Sequence, residues 1–164
     1  MKILGLFIGG IMGVIIFSFF LFIIDQLSKY FVVNFLKDKP PLVVIKNFLN
    51  FFYLENRGAA FGIMQDKGIF FTIITVIVVC VLTGILFKNY NNKSKPLKFA
   101  VALILGGTIG NFVDRIRLKY VIDFISVKIF NYDFAVFNLA DSFIVIGTII
   151  LVIIILLYEN PKRK

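Results

Sequence analysis

Histidine and tryptophan are absent from this chain of 164 residues, and its single cysteine is Cys80. The lack of histidine removes the commonest general base and the usual zinc ligand. One cysteine cannot form a disulfide framework or a cysteine metal cluster within the chain. We therefore expect no metal and no cofactor, which leaves carboxylates as the main candidates for acid and base chemistry.

Acidic residues are also scarce: 9 Asp and Glu stand against 18 Lys and Arg, which gives a net charge of +9. Hydrophobic residues make up 60% of the chain and aromatic residues 16%, and the mean hydropathy is +0.97. These values lie outside the range of soluble domains and indicate an integral membrane protein. Membrane topology and anionic lipid headgroups explain the positive charge, so it predicts no nucleic-acid partner.

Apolar stretches of about the 20 residues that a helix needs to cross the hydrocarbon core recur along the chain. The two later stretches, 99–113 and 142–158, are shorter than the earlier ones and complete a crossing only if they carry charged residues into the membrane. We predict a membrane protein of all-α class: a four-helix bundle with a small extracytoplasmic β-sheet, forming one domain over residues 1–164. The predicted spans are about 3–24 extending to 36, 68–87, 99–115 and 138–158.

Basic residues concentrate in short segments that lack acidic residues, which is the pattern of cytoplasmic loops. Such segments lie at the N-terminus, between the second and third spans, and at the C-terminus, so both termini are expected in the cytoplasm. The acids Asp114, Asp123 and Asp141 then lie near the outer leaflet. The segments assigned to the cytoplasm are Lys2, 88–98 and 162–164, and those assigned to the outside are 37–67 and 115–133.

The outer loop changes character between residues 40 and 64, where Pro, Asn and Gly interrupt β-branched and aromatic residues. This composition favours short strands over a helix. We predict a small sheet that rests at the outer membrane surface. Phe134 and Phe137, beside the fourth span, are expected to add aromatic anchoring at the same interface.

Charged side chains inside spans are costly, since an ionised Asp at a helix centre costs roughly 2.5 to 3.5 kcal/mol on insertion scales. Asp141 is expected to lie about 10 Å inside its helix, and no basic residue stands within one turn of it. A functional role is therefore favoured for this acid. Polar groups recur at helical spacing in three places: Asp25 with Lys29; Asn111 with Asp114 and Arg115; and Asn138 with Asp141 and Ser142.

The other charged residues have structural interpretations. Asp25 and Lys29 are spaced i,i+4, which predicts an ion pair on one face of the first helix near the interface. Asp114 beside Arg115 is typical of a charge cluster at a helix end. Ser28 next to Lys29 superficially resembles a Ser/Lys hydrolase pair, but adjacent residues on a helix point in different directions.

Two carboxylates without histidine or a metal are compatible with an aspartic dyad. Two close carboxylates cannot both ionise cheaply, so they share a proton; one acts as base toward a water while the other donates to the substrate carbonyl. Spacing alone does not rank Asp114 against Asp123 as the partner of Asp141. The alternatives are a proton or ion pathway, which the apolar cytoplasmic halves of the later spans disfavour, and a purely structural role. A presenilin-like protease would need a GxGD block, which the sequence lacks.

Five short blocks, in order along the chain, resemble those of lipoprotein signal peptidase (signal peptidase II). The resemblance implies an aspartic endopeptidase of the bacterial cytoplasmic membrane that acts on its outer face. It also implies the substrate, a diacylglyceryl-modified prolipoprotein cleaved just before the lipidated cysteine, and inhibition by globomycin. The blocks are IIDQLSK (23–29), ENRGAAFGI (55–63), GGTIGNFVDR (106–115), VIDFI (121–125) and FNLADS (137–142).

The same resemblance implies roles for single residues. It places the catalytic dyad at Asp123 and Asp141, and it implies room for close backbone approach at Gly58 and Ala60. Lys119 is a departure, because many members carry Gly in the turn between the third and fourth blocks. In the resemblance Asn56, Asn111, Arg115 and Asn138 line the substrate and inhibitor site, while Asp25, Lys29, Gly58 and Asp114 support the structure.

Overall fold

Four helices and a four-stranded sheet make up the described part of the protein. The computed structural model describes residues 10–58, 68–88, 94–130 and 132–158. Outside these residues lie both chain ends, part of the segment 88–98, and the second half of ENRGAAFGI with Ala60. The helices are α1 (Ile11–Leu36), α2 (Gly68–Lys88), α3 (Lys95–Leu118) and α4 (Leu139–Tyr158). The strands are β1 (Leu42–Ile45), β2 (Leu49–Asn56), β3 (Val121–Ile129) and β4 (Tyr132–Asp133).

Helices α1, α3 and α4 are long and apolar enough to cross a membrane. The apolar stretch found in α2 among the described residues is shorter, Ile73–Gly84. Helix α4 exposes large apolar side chains such as Val145, Ile149 and Val152, which are favourable against lipid hydrocarbon and unfavourable against water. The prediction of a mostly helical membrane protein with a small sheet is confirmed at this level.

Helix α3 lies at the centre of the helices. In its most apolar window 61% of the residues are buried, against 22% in α1 and 11% in α4. Its glycines allow close approach: a Cβ on Gly106 would collide with Leu21 of α1, and a Cβ on Gly107 would collide with the carbonyl oxygen of Ala140 in α4. Small residues at such contacts are a common means of close helix packing in membranes. The GGTIG stretch therefore sets the position of α3 against both neighbours.

The sheet is antiparallel throughout, with the strand order β1-β2-β3-β4. Strands β1 and β2 lie inside the segment 40–64 that was predicted to form strands. Strand β3 was not predicted, because its first four residues are all buried and show no alternation of apolar and polar side chains. A short, fully buried strand cannot be told from the end of a buried helix by periodicity alone.

Strand β3 joins the sheet to the helices. Ile122 and Phe124 of β3 pack with Val32 of α1 in one buried apolar cluster. Pairing with β2 places Asn56 opposite Val121, two residues from Asp123. The sheet is thus anchored on the helical layer at the point where Asp123, the acid of VIDFI, is buried.

Lys119 allows the chain to pass from α3 to β3 within two residues. It is the C-cap of α3 in the left-handed conformation, with φ 70° and ψ 5°, and its N–H donates to the carbonyl oxygen of Arg115 at 3.2 Å. Glycine adopts this conformation without a steric penalty, which a residue with a Cβ incurs. The lysine therefore keeps the turn that a glycine would form and adds backbone strain to it.

Candidate active site

The start of α4 is set by two reciprocal hydrogen bonds within FNLADS. Asn138 precedes the helix, and its Oδ1 accepts from the backbone N–H of Asp141 at 2.9 Å. Asp141 Oδ2 accepts in turn from the backbone N–H of Asn138 at 3.1 Å. This capping box pairs two of the N–H groups at the helix start. Asp141 therefore lies in the first turn of α4, and the expected depth of about 10 Å was wrong because the cap was not recognised.

Asn138 connects the two acids of the predicted dyad. Its side chain is completely buried, and both N–H bonds of its amide are used. One donates to Asp123 Oδ1 at 2.6 Å and the other to Asn111 Oδ1 at 3.1 Å. The role of Asn138 in the substrate site stays a prediction; in the structure its polar atoms contact other protein groups. Its place in the structure is that of a residue that positions Asp123 and Asp141.

Asp123 is buried on β3, with 1% of its surface exposed. Its Oδ1 accepts from the Asn138 amide, and its Oδ2 accepts from Asn56 Nδ2 at 2.7 Å. The Asn56 amide is oriented by the backbone N–H of Gly58, which donates to its Oδ1 at 2.9 Å. Burial, reinforced by the nearby charge of Asp141, raises the pKa of Asp123 to about 7. This carboxyl can therefore hold a proton near neutral pH.

Asp141 also has an N–H donor on each carboxyl oxygen. Its Oδ1 accepts from Asn111 Nδ2 at 2.7 Å, and its Oδ2 accepts from the backbone N–H of Asn138. The N-terminal turn of a helix carries a partial positive charge, which favours a carboxylate there. The two acids are thus held alike by amides, while only Asp141 lies at a helix terminus.

Both acids line one cavity of about 580 Å³. Most of its wall is apolar and comes from the segment before α4 and from the following turns of that helix. A cavity of this size with a few convergent polar groups is typical of a ligand site. The polar lining residues are Asn56, Asn111, Arg115, Asp123, Asp141 and Ser142, and the apolar ones include Phe134, Phe137, Ile144 and Val145.

Three charged residues predicted to support the structure lie together in the interior: Asp25, Lys29 and Asp114. Lys29 Nζ lies 2.9 Å from Asp25 Oδ2 and 2.8 Å from Asp114 Oδ2. The expected i,i+4 pair is present and buried inside the protein, and Asp114 joins it. Asp25 Oδ1 also accepts from the backbone N–H of Ala140 at 3.0 Å, which ties α1 to the start of α4.

Gln26 belongs to the same network and was missed from the sequence. Its Nε2 donates to Asp25 Oδ2 and to Asp114 Oδ1, both at 3.1 Å, and lies 3.3 Å from the carbonyl oxygen of Gly110. Helical spacing hid it, because residues next to each other on a helix seldom share a partner. Its position inside IIDQLSK is the signal that would have found it.

Comparison with known proteins decides the family. The family model described as Signal peptidase (SPase) II matches residues 17–157. The chain belongs to the signal peptidase II family. Signal peptidases II are lipoprotein-processing membrane aspartic proteases, so this chain is an enzyme of that class. The cavity lined by the buried Asp123 and the half-buried Asp141 is the candidate active site.

Relatives and solved structures agree with membership in the signal peptidase II family. A lipoprotein signal peptidase from Caldanaerobacter subterraneus subsp. tengcongensis is 48% identical over 140 residues, which cover 85% of this chain and 92% of the relative. One from Clostridium tetani is 43% identical over 144 residues, with the same coverage. Two structures of a bacterial membrane enzyme, obtained by the in meso method at 2.3 and 1.9 Å, match with TM-scores of 0.84 and 0.78. Their sequences are 38% and 36% identical to this one. Each match covers 94% of this chain, and the matches cover 94% and 96% of the two solved chains.

Proposed function

We propose that this enzyme removes the signal peptide from diacylglyceryl-modified prolipoproteins, cleaving just before the lipidated cysteine, with Asp123 and Asp141 as its catalytic dyad. The observation that carries the proposal is that both carboxyls line one cavity while burial and the charge of Asp141 raise the pKa of Asp123 to about 7. Asp123 can then hold near neutral pH the proton that a carboxyl dyad needs for water-mediated peptide hydrolysis.

The surroundings of Asp114 support the choice of Asp123 as the partner. Asp114 is 3% exposed, and its oxygens accept from Lys29, Gln26 and the backbone N–H of Ile122. An acid committed to a buried cation is poorly suited to exchange a proton with substrate. Spacing in the sequence left the two acids equal, and these contacts favour Asp123.

The proposed reaction proceeds without a covalent enzyme intermediate. Ionised Asp141 takes a proton from a water molecule while the oxygen of that water attacks the scissile carbonyl carbon. Protonated Asp123 donates its proton to the carbonyl oxygen. The resulting gem-diol collapses when the C–N bond breaks: the leaving nitrogen takes the proton from Asp141, and one hydroxyl returns a proton to Asp123. The amides of Asn56, Asn111 and Asn138 hold the carboxyls in place throughout.

In the proposed topology the chain is a single membrane peptidase domain with four spans, both termini in the cytoplasm, and the dyad at the outer face of the bacterial cytoplasmic membrane. The apolar wall of the cavity, with Phe134 and Val145, suits a signal-peptide helix and lipid chains that stay in the bilayer. Asn56, Asn111 and Arg115 supply polar contacts for the substrate backbone. Globomycin is expected to occupy the same cavity.

The dyad is tested by processing of a purified diacylglyceryl-modified precursor in proteoliposomes. Asp123→Asn and Asp141→Asn should each lower the rate by about 10²-fold or more, since each removes a proton-transfer group. Asp133→Asn is the matched control: this acid is 74% exposed and pairs only weakly with Lys128 at 3.5 Å. The Asp133→Asn variant should cleave the precursor at the rate of the unchanged protein. Globomycin should inhibit this variant and the unchanged protein alike.

Two outcomes would contradict the proposal. Full activity of either dyad variant, with the protein inserted and monodisperse in detergent, would remove that residue from the reaction. Equal cleavage of a precursor that lacks the diacylglyceryl group would remove the proposed substrate class while leaving the peptidase activity in place.

A further inference from the structure

Lys29 is a buried cation beside the cavity whose three N–H bonds all have acceptors. Its side chain is 2% exposed. The ammonium lies 2.9 Å from Asp25 Oδ2, 2.8 Å from Asp114 Oδ2 and 3.0 Å from Asn111 Oδ1. An ammonium has three donors, so its capacity is completely used. Two carboxylates already compensate its charge, and the third bond is directed at an amide of the active site.

The bond from Lys29 selects the orientation of the Asn111 amide. Asn111 Oδ1 accepts from Lys29 Nζ and from Asn138 Nδ2, while its Nδ2 donates to Asp141 Oδ1 at 2.7 Å. In the reversed orientation the amide NH₂ would face two donors, and its oxygen would face the carboxylate oxygen of Asp141. Both contacts would leave buried polar groups unpaired, which is costly. Lys29 thus holds the Asn111 donor on Asp141.

We propose that Lys29 is a positioning residue for the peptidase reaction, acting through Asn111 on the carboxylate of Asp141. The proposal rests on the assignment of Asp141 to the dyad. Hydrogen bonds from a charged donor are roughly twice as strong as neutral ones, so the ammonium dominates the choice between the two amide orientations. Without the N–H of Asn111, the carboxylate of Asp141 is less well placed to take a proton from water. This change should slow the chemical step more than it weakens substrate binding.

The test removes the ammonium together with one of its two carboxylate partners, so that the net buried charge does not change, while Asp25 keeps its hydrogen bonds from Gln26 and the backbone N–H of Ala140. Lys29→Met alone leaves Asp25 and Asp114 as buried carboxylates without a cation, which is strongly destabilising. The double variant Lys29→Met with Asp114→Asn removes one positive and one negative charge together. Its reference is the single variant Asp114→Asn, which keeps the Lys29 contacts to Asp25 and Asn111. Both are assayed as the monodisperse full-length protein in proteoliposomes with the diacylglyceryl-modified precursor.

Relative to Asp114→Asn, the double variant should show a kcat lower by about 10- to 100-fold, the range expected when a reacting group is slightly misplaced. KM should change less than kcat, because Asn111 supplies only one of the polar contacts proposed for the substrate backbone. When Asn111→Ala is also present, adding Lys29→Met should change kcat by less than about twofold, since the relay is already broken.

Gly147→Ala is the control for loss of stability alone. A Cβ at Gly147 would meet the carbonyl oxygen of Ala100 and the side chains of Leu103 and Ile104 in α3. It should lower the amount of folded protein while kcat per folded molecule stays unchanged. This separates a purely structural effect from a positioning effect.

A kcat equal to that of Asp114→Asn, or the same loss of kcat with and without Asn111, would overturn the role of Lys29. The dyad variants separate this failure from failure of the proposed function. Activity retained by Asp141→Asn would overturn both, whereas inactive Asp141→Asn together with an unaffected Lys29 variant would leave the dyad in place and remove only the positioning role.

Discussion

Asp123 and Asp141 are the same amino acid in two environments, and the difference suggests their roles. Asp123 lies on a buried strand, where burial and the charge of Asp141 raise its pKa to about 7. Asp141 lies in the first turn of α4, where Asn111 Nδ2 and the backbone N–H of Asn138 each donate to one of its carboxyl oxygens. We infer that Asp123 carries the proton of the pair and that Asp141 is the base.

The pH dependence of activity and stability tests where this proton resides. The proposed mechanism requires this proton on Asp123, so kcat should fall as pH rises through about 7. The folded pKa lies above the ordinary value of 3.8, so the contribution of Asp123 to stability is complete below that value and is lost as pH rises through about 7. Thermal unfolding in detergent should therefore occur at lower temperature at about pH 8 than at about pH 6. No histidine titrates in this pH range, because the chain has none. The same shift in Asp123→Asn would contradict the assignment.

Asn138 has two separable roles, capping α4 and donating to Asp123, and two substitutions distinguish them. Asn138→Ala removes both, whereas Asn138→Ser keeps a capping oxygen. The serine variant should therefore recover about 1 kcal/mol of the stability lost in the alanine variant. Neither variant should be active, because neither side chain has an amide that can donate a hydrogen bond to Asp123. Processing assays and thermal unfolding check both points, and an active serine variant would show that the cap alone matters.

At the scale of helices, the glycines of α3 set how closely α4 can approach. Gly107→Ala should destabilise the protein by about 1 to 3 kcal/mol, because its Cβ would overlap the carbonyl oxygen of Ala140 at the start of α4. Gly84→Ala on α2 is the control, since nothing lies within 4 Å of its Cβ. Thermal unfolding of the two variants in detergent measures the difference, and equal midpoints would contradict close packing at Gly107.

The turn that ends α3 offers the opposite test. Lys119→Gly should stabilise the protein by about 1 kcal/mol, because glycine adopts the left-handed conformation at φ 70° without a Cβ penalty. Lys119→Ala keeps the Cβ and should give no comparable gain. Unfolding midpoints of the three proteins decide the point, and equal gains for glycine and alanine would attribute the effect to loss of the lysine side chain.

At the scale of the whole molecule, the candidate active-site cavity is lined by residues of β2, α3, β3 and α4, and α1 supports it from behind through an ion network. The ion network of Asp25, Lys29 and Asp114 joins α1 to α3, and Asp25 reaches the first turn of α4. Asp114 accepts from the backbone N–H of Ile122 on β3 at 3.4 Å. A site assembled from four elements is precise only if those elements are held together, and buried, fully paired polar groups provide that constraint.

Much of this architecture could be predicted from local features of the chain. Apolar runs of span length indicate membrane helices, because each run has to satisfy its backbone hydrogen bonds within itself. The five blocks pointed to the family and to the residues of the site. Strand β3 could not be predicted, since its partner β2 lies more than 60 residues earlier and its buried half shows no alternation. The burial of Asn138 was also hidden, because its role depends on contacts with three other elements.

The sequence by itself determined that this protein is a membrane enzyme of the signal peptidase II type, because apolar composition, span length and motif order are all properties of the linear chain. It could rank Asp141 as unusual, but it could not state the environment of that acid. Only the tertiary structure placed Asp123 and Asp141 on one cavity and Lys29 behind Asn111. Burial, hydrogen-bond partners and pKa depend on distances between residues far apart in the chain, and those distances exist only in the folded protein.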